Sequence, residues 1–377
     1  MAELDAFFQK MMAMGASDLH LTSGMLPLVR ESGEMKPLDG EAEKLTPESL
    51  MKRFEEIAPK LNWDEYKKDG DTDFAYDLPG AARFRANFFM DQTGPGAVFR
   101  VIPSKTLTVK DLNLPPSIID LCFLTKGLVV VTGPTGSGKS TTLAAMINHI
   151  NENRQDHIIT IEDPIEFVHP NKKCLINQRE VRKHTQSFKR ALRAALREDP
   201  DIVLIGEMRD LETVEIALET AETGHLVFGT LHTTTAASTV DRVIDQFPTH
   251  QQAQIRTILS TTLKGVVAQT LCKKIPKGRA AALEILISNA AIANNIREGK
   301  TFQIPSAMQV GASIGMRMLN DSLMELVQKK IVEPLEAYMK CVDKVDMKAK
   351  LDRIGAKLPN ESHNGHAAPT ATQGAPR

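Results

Sequence analysis

The sequence has few of the features that mark several large classes of protein. Only four cysteines occur in 377 residues, Cys122, Cys174, Cys272 and Cys341, and no two form a Cys-x-x-Cys pair. Cysteines scattered in this way favour reduced, buried thiols in a cytoplasmic protein over a disulfide framework or a zinc site. No apolar run approaches the roughly 20 residues that span a bilayer, and the N-terminus lacks the basic and apolar regions of a signal peptide. We therefore expect a cytoplasmic protein without direct membrane insertion.

The sequence also has almost no net charge and few aromatic residues. Its 46 Lys and Arg nearly balance its 47 Asp and Glu, and it contains one Trp and three Tyr. A balanced chain has no overall field that attracts nucleic acid or an anionic membrane. No stretch combines basic and aromatic residues in the way that stacks single-stranded bases. Composition therefore argues against a RecA-type motor or recombinase that acts on nucleic acid.

A glycine-rich loop between an apolar run and a helical pattern is the strongest signal in the chain. Leu128 to Val131 are uninterrupted apolar residues, as in a parallel strand buried on both faces. The loop that follows has the P-loop spacing Gly-x-x-x-x-Gly-Lys-Ser. In a P-loop, backbone N–H groups surround the phosphates, the lysine neutralises the β/γ charge and the serine offers a hydroxyl to Mg²⁺. The residues predicted to bind ATP are Gly133, Pro134, Thr135, Gly136, Ser137, Gly138, Lys139, Ser140 and Thr141.

Carboxylates follow two other predicted strands of the same domain. Glu207 ends the apolar run that starts at Asp201, which is the position of a Walker B acid. Glu207 could hold Mg²⁺ through water, alongside Ser140, or orient the attacking water, and both roles stay open. Three more acids, Glu162, Asp163 and Glu166, follow the run 157–161. Since grouped carboxylates need a cation or a proton, they suggest an Mg²⁺–ATP site, with a plain acidic turn as the alternative.

Two histidines stand at the two ends of a predicted buried strand. His225 precedes the strand and His232 follows it. Imidazole donates hydrogen bonds and can be charged near pH 7, so either residue could sense the γ-phosphate or bridge to a neighbouring subunit. A purely structural histidine is the alternative for each.

Four arginines are candidates for contact with the phosphates. Arg193 and Arg197 are spaced i, i+4, so they can share one helix face. Arg85 and Arg100 lie in predicted strands of the N-terminal part. From the residues alone, surface charge is one interpretation of all four; the other is arginine fingers, which accelerate phosphoryl transfer when they reach the γ-phosphate.

The pattern of apolar residues divides the chain into two domains. Residues 1–102 predict a small α+β domain, and the proline-containing stretch 103–116 predicts a linker and hinge. Residues 117–345 alternate strands and helices, which predicts an α/β fold with a mainly parallel sheet. Beyond residue 250 the pattern is mostly helical, including a helix at 251–268. Residues 346–377 predict a disordered tail.

Several sequence segments resemble motifs of the secretion-ATPase superfamily of RecA-like motors, and within it of the retraction ATPases of type IV pili. The matching segments are Ser17-Asp-Leu-His-Leu21, GPTGSGKST, TIEDPIEFVH, Gln178-Arg-Glu180, LREDPDIVLIGEMRD and AETGHLVFGTLHTT. The resemblance implies a PAS-like N-terminal domain followed by a RecA-like ATPase domain with a mostly helical C-terminal part. It further implies a homohexameric ring in which the N-terminal domain packs on the neighbouring subunit's ATPase domain, with ATP between them.

The resemblance also assigns roles to the candidate residues. Glu162, Asp163 and Glu166 match the Asp box, Glu207 matches Walker B, and His225 and His232 match the His box. In the superfamily, two arginines of the N-terminal domain, fifteen residues apart, approach the γ-phosphate. Arg85 and Arg100 have that spacing, and we expect them to act in trans. Arg193 and Arg197 match a conserved arginine pair of the family.

The function implied by the resemblance is ATP-driven retraction of type IV pili, and hence twitching motility. The implied partner is an inner-membrane platform protein, at whose cytoplasmic face the motor acts, and whether a second retraction ATPase works beside it stays open. The alternatives are an accessory retraction ATPase and a pilus-assembly or type II secretion ATPase. Assembly motors usually carry a long extra N-terminal region and a four-cysteine zinc segment, which this sequence lacks. Retraction ATPases carry a late helix Ala-Ile-Arg-Asn-Leu-Ile-Arg-Glu, where this chain has Ala293 and Asn295 in place of the first Arg and the Leu.

Overall fold

The N-terminal domain is one antiparallel sheet covered by helices. The computed structural model describes residues 2–31, 34–102, 106–356 and 358. The first elements are α1 (Asp5–Ala13), β1 (Asp18–Thr22), β2 (Leu28–Glu31), β3 (Glu34–Pro37), α2 (Pro47–Ile57), α3 (Lys60–Asp69), β4 (Asp71–Leu78), β5 (Ala82–Asp91) and β6 (Gly94–Ile102). The six strands lie in the order β3-β2-β1-β6-β5-β4. Alternation of apolar and polar residues along β5 buries one of its faces against the helices.

Aromatic side chains hold this small domain together. Phe8 of α1 stacks on Phe84 of β5, with ring centroids 4.3 Å apart. Phe54 of α2 stacks on Phe88 at 4.2 Å. All four rings are fully buried, and each large aromatic ring removes much apolar surface from water. The opposite face of β5 is left for polar residues.

The second domain is built on a seven-stranded sheet. Its elements are α4 (Pro116–Leu121), β7 (Gly127–Thr132), α5 (Lys139–Asn153), β8 (His157–Glu162), β9 (Leu175–Glu180), α6 (Phe188–Ala195), β10 (Ile202–Ile205), α7 (Leu211–Glu222), β11 (Leu226–Leu231), α8 (Ala236–Asp245), α9 (Thr249–Thr262), β12 (Leu263–Lys273), β13 (Arg279–Ile287), α10 (Ala290–Arg297), α11 (Ile304–Val310), α12 (Leu319–Gln328), α13 (Pro334–Lys340) and α14 (Lys344–Arg353). The strand order is β13-β12-β7-β11-β10-β8-β9. All neighbours are parallel except β12 and β13.

The central strands are buried on both faces, which explains their unbroken apolar runs. Alternate residues of one strand enter two different cores: Leu128 and Val130 pack with α6 to α9, and Val129 and Val131 pack with α5. The mixed α/β class, with a small N-terminal domain before the ATPase domain, is confirmed. Parallel strands also place all their carboxyl ends at one edge, where ligands of such sheets bind.

The helix predicted at 251–268 is wrong in its second half. α9 ends at Thr262, and the chain continues into the hairpin β12–β13. The run from Leu263 is rich in apolar residues that fit a strand, and Val266 and Val267 pair with Val130 and Val131 of β7. Pairing with β7 extends the main sheet, and this tertiary contact decides between two conformations that the local sequence permits.

The boundaries of the predicted linker and tail also change. Val109 and Leu114 are buried in the core that contains α5, so the second half of the stretch 103–116 is packed on the ATPase domain, and α4 begins at Pro116. Residues 103–105 lie outside the described residues.

At the C-terminal end, α14 buries Met347 and Leu351, so the prediction of a disordered tail is wrong for residues 346–353. Residues 359–377 lie outside the described residues. Across the described ranges, no helix is long and apolar enough to cross a membrane.

Candidate active site

The glycine-rich loop lies between β7 and the N-terminus of α5. Gly133 adopts φ 145° and approaches β12 so closely that a Cβ there would lie 2.2 Å from the carbonyl oxygen of Gln269. Only glycine fits this position. Lys139 is the first residue of α5, and its Nζ donates to the carbonyl oxygens of Gly133 at 2.7 Å and Pro134 at 3.2 Å. The lysine is thus folded over the loop.

One hydroxyl of this loop indicates that it fits an anion. Ser137 is buried, and its Oγ has no hydrogen-bond partner among the described residues. A buried polar atom without a partner is costly unless a ligand supplies one. The helix N-terminus of α5 adds unpaired N–H groups and a positive dipole end. The loop is therefore shaped and charged for phosphate groups.

Gln269 of β12 supports the loop and is not among the residues predicted from the sequence. Its Nε2 donates to the carbonyl oxygen of Ser137 at 2.7 Å, and its Oε1 accepts from Thr142 Oγ1 at 2.7 Å. Gln269 is buried. It was missed because the first half of its strand lies in the stretch 251–268, which was predicted to be a helix, and no strand was predicted beyond it. The β-branched pair Val266 and Val267 was the signal that favoured a strand.

Glu207 leaves the carboxyl end of β10 and contacts two side chains, those of Arg209 and His232. Its Oε1 accepts from His232 Nε2 at 2.9 Å and is paired with Arg209 Nε. Burial alone would raise the pKa of Glu207, but Arg209 and then His232 outweigh burial and lower it. Burial lowers the pKa of Lys139, against the charges of Glu207 and Glu166, which raise it. Glu207 therefore interacts both with His232 and with Lys139 of the glycine-rich loop.

Glu162 ends β8 on the neighbouring strand. Its Oε1 accepts from Thr160 Oγ1 at 2.7 Å and from Gln178 Nε2 at 3.2 Å. Burial raises the pKa of Glu162 to about 7, although these two hydrogen bonds act in the opposite direction and only Glu166, a like charge, adds to the rise. A carboxyl group with this pKa can take up or release a proton at neutral pH.

Arg85 and Arg100 are direct partners across β5 and β6. Like charges at such a position repel each other. Partial compensation comes from Asp73, 3.7 Å from Arg85, and from the buried Asp18, 2.7 Å from Arg100. The side chain of Arg100 remains 63% exposed. Two adjacent, incompletely neutralised guanidinium groups suit an anion such as a phosphate.

The face of β5 that bears Arg85 is turned toward the Asp box of the same chain. Arg83 Nη2 donates to Glu180 Oε2 at 2.8 Å across the domain boundary. A second ion pair, Arg182 with Glu65, crosses the same boundary at 3.3 Å. Burial raises the pKa of Asp163, opposed by the charges of Arg182 and then Arg85. Within one subunit Arg85 thus already lies within electrostatic reach of Asp163, whereas the sequence led us to expect action in trans.

Three residues that were predicted to bind the nucleotide lie away from the P-loop in the single chain. His225 lies at the amino end of β11, where its Nδ1 is 3.1 Å from the carbonyl oxygen of Thr220. A six-residue strand separates it from the P-loop edge by about 20 Å at 3.3 Å per residue. The single chain therefore does not bring His225 to the P-loop, and its role at the nucleotide stays a prediction. Arg193 and Arg197 are exposed at α6 and beyond its end. None of the described contacts takes them to the P-loop, so their role stays a prediction.

The donor atoms near the P-loop are of the type that Mg²⁺ prefers. No cluster of three or more His, Cys, Asp or Glu with metal-binding geometry occurs in the described ranges. Mg²⁺ in nucleotide sites needs only one or two protein oxygens, with phosphates and water completing its shell. The Ser140 hydroxyl at the start of α5 and the Glu207 carboxylate fit that requirement.

A P-loop on the second domain's sheet, with carboxylates at the ends of two further parallel strands, places this chain among the P-loop ATPases. The geometry is that of a RecA-like domain preceded by a separate α+β domain. More particularly, the chain belongs to the family of type II/IV secretion system proteins, which matches residues 2–303.

Individual relatives are similar over nearly the whole chain. The type IV pilus retraction ATPase PilT of Pseudomonas aeruginosa is 52% identical over 334 residues, which cover 88% of this chain and 94% of that protein. The type IV pilus ATPase PilU of the same organism is 34% identical, over 99% of this chain and 96% of that protein. The crystal structure of the pilus retraction motor PilT with bound ADP has a TM-score of 0.84 and 45% identity, and covers 93% of this chain and 99% of that one.

Proposed function

We propose that this chain hydrolyses ATP to drive retraction of type IV pili, and thereby twitching motility. The observation that carries the proposal is the placement of Glu207, paired with His232 and in electrostatic contact with Lys139 of the P-loop. The higher identity to PilT than to PilU favours a main retraction motor over an accessory ATPase. The nearly balanced charge continues to argue against a nucleic-acid motor.

The residues around the loop divide the work of binding and hydrolysis. Lys139 neutralises the β- and γ-phosphates, and Ser140 and Glu207 would hold Mg²⁺. The ion supplies positive charge that offsets the charge on the phosphates. Glu207, oriented by His232, aligns the attacking water. Glu162, whose pKa is raised to about 7, is placed to accept the proton of that water, directly or through Glu166.

The arginines complete the charge around the γ-phosphate. Arg85 and Arg100 approach it as a pair from the N-terminal domain, which makes closure of that domain a condition for hydrolysis. Release of the pair after hydrolysis would reopen the domains and so convert chemistry into motion. Arg193, Arg197 and His225 are candidates for the neighbouring subunit's site, since all three lie away from the P-loop of their own chain.

The working unit is expected to be a homohexameric ring at the cytoplasmic face of the inner membrane. A ring motor of this kind would act on the cytoplasmic part of a pilus platform protein, with a second retraction ATPase as a further partner. These statements rest on the family and its named relatives.

The enzymatic part is tested with Glu207→Gln. The substitution preserves shape and removes the charge that orients water and Mg²⁺. We expect ATP affinity to stay near its original value while hydrolysis slows by about 100-fold or more, as for other losses of transition-state electrostatics. Glu222→Gln, an exposed change at the end of α7, is the matched control. Hydrolysis at the normal rate by Glu207→Gln would show that the Walker B assignment is wrong.

The biological part is tested by deletion of the gene. A hyperpiliated cell that does not twitch is the expected result for a retraction motor. A bald cell would identify an assembly motor, and unchanged pili with intact twitching would identify an accessory ATPase.

A further inference from the structure

Strand β9 contacts the Asp-box loop, residues 163–169, with two side chains, Gln178 and Glu180. Gln178 and Glu180 alternate with Arg179, so they lie on one face of β9. They stand beside Thr160 and Glu162 of the parallel strand β8. The loop that follows β8 folds back over this face.

Gln178 makes three hydrogen bonds that fix the path of the loop. Its Nε2 donates to Glu162 Oε1 at 3.2 Å and to the carbonyl oxygen of Phe167 at 2.8 Å. Its Oε1 accepts from the N–H of His169 at 2.7 Å. The Phe167 carbonyl only accepts and the His169 N–H only donates, so these two partners fix a single orientation of the amide, in which Nε2 also faces Glu162. The two ends of the loop are thereby tied to one side chain.

Glu180 holds the middle of the loop and also contacts the other domain. Its Oε2 accepts from the N–H of Ile165 at 3.2 Å and from Arg83 Nη2 at 2.8 Å. The ion pair is sequestered, with 5% of the Glu180 side chain and 14% of the Arg83 side chain exposed. Removal of one partner from a pair of this kind leaves the other charge buried. The contact is therefore specific in a way that an exposed ion pair is not.

Arg83 lies on the same strand as Arg85, the arginine that is expected at the phosphates, and so links Glu180 to it. Arg83 and Arg85 are two residues apart on β5, so their side chains leave the same face of the strand. A path of direct contacts runs from the Asp-box loop through Glu180 and Arg83 to the strand that carries Arg85. Any shift of the loop relative to β5 must stretch the bond between Glu180 and Arg83.

We propose that Glu180 is a positioning residue that fixes the Asp-box loop to strand β5, so that the acids of the loop and Arg85 are placed on the nucleotide as one unit. The inference rests on the proposed ATP site and specifies how its two halves are aligned. Glu180 acts through its contacts with Ile165 and Arg83. Its loss should therefore affect the chemical step more than nucleotide binding, which depends on the P-loop.

The test removes each partner of the ion pair between Glu180 and Arg83 in turn. In Glu180→Gln an amide oxygen can still accept from Ile165, but the charge that faces Arg83 is gone. Arg83→Gln removes the other partner, and the double variant removes both. For each protein, kcat and KM for ATP, the Kd for ATP and the melting temperature are measured at one protein concentration. We expect kcat to fall about tenfold or more in both single variants, which corresponds to about 1.4 kcal/mol of barrier, while Kd changes by less than about threefold.

The double variant and a second ion pair supply the controls. Because both single variants break the same contact, the double variant should be no slower than the slower single variant. Glu65→Gln breaks the pair with Arg182, which crosses the same boundary but leaves the two side chains 34% and 50% exposed. Solvent-exposed ion pairs contribute little free energy to holding two elements together, so Glu65→Gln should retain kcat within about twofold.

Two results would overturn the inference. One is a kcat within about twofold of the unmodified value in folded Glu180→Gln. In that variant Arg83 keeps its ion pair with Asp77 at 3.3 Å, so the variant can be used even if Arg83→Gln does not fold. The other is multiplication of the two losses in the double variant, which would mean that the residues act independently. Failure of the proposed function would look different, since Glu207→Gln would then hydrolyse ATP normally.

Discussion

Replacement of Glu162 by Gln should make the stability of the nucleotide-free protein less dependent on pH. Burial raises the pKa of this carboxyl group from 4.5 to about 7 in the folded state. Between these values the folded protein keeps a proton that the unfolded chain has lost. Stability therefore falls as pH rises through this window and levels off above pH 7. Glutamine has no proton to lose, so the variant lacks this part of the decline.

The magnitude follows from the two pKa values. Between pH 5.5 and pH 8, a shift from 4.5 to about 7 removes about 2 kcal/mol of stability through linkage. For a domain of 150–250 residues, each kcal/mol moves the melting temperature by about 2–4 °C. The difference in melting temperature between Glu162→Gln and the unmodified protein should therefore be about 4–8 °C larger at pH 8 than at pH 5.5.

The assay is thermal unfolding without nucleotide, at equal salt and protein concentration, at the two pH values. The quantity compared is the difference in melting temperature between the two proteins at each pH, because other groups titrate equally in both and cancel in that difference. Glu222→Gln, at an exposed position, controls for the loss of one carboxylate and should show no such change. Parallel pH curves for Glu162→Gln and the unmodified protein would refute the reasoning that burial keeps this group protonated.

Three further predictions concern the motor. Lys139→Ala should abolish ATP turnover and weaken ATP binding, since it removes the charge that neutralises the β- and γ-phosphates; normal turnover would contradict the P-loop assignment. Because β5 lies over the Asp box of its own chain, Arg85→Ala subunits mixed with Lys139→Ala subunits should stay inactive at every ratio, and activity in confirmed mixed rings would show that Arg85 acts in trans. Ala293 is partly exposed on α10, so Ala293→Arg can be accommodated and should raise retraction speed at unchanged ATP affinity, whereas unchanged retraction would show that this position is not limiting.

The parts of the fold that could be predicted are those in which local chemistry leaves one choice. The P-loop is such a case, because Gly133 and Lys139 are required by the shape and charge of a phosphate site wherever the chain folds. The apolar runs of β7, β8, β10 and β11 were equally clear, since strands buried on both faces consist mainly of apolar residues. Glu207 and Glu162 were then placed by the rule that parallel strands bring their carboxyl ends to one edge.

The remaining elements depended on contacts between distant residues. β12 became a strand because β7 offered an unpaired edge, and only that pairing brought Gln269 under the P-loop. α14 became ordered because Met347 and Leu351 found a core formed largely by α12 and α13. In each case the local sequence was compatible with more than one conformation, and burial selected one.

The sequence by itself determined the chemistry of this protein: a P-loop, acids at strand ends, and arginines in a separate domain. Which of these groups meet was decided only by the tertiary structure. His232 reaches Glu207 while His225 lies at the opposite edge of the sheet, although the strand between them is equally apolar at both ends. Arg83, inconspicuous in the sequence, pairs with Glu180 across the domain boundary. The physical reason is that residue types and spacing specify what a side chain can do, whereas distance and burial depend on how separate elements pack.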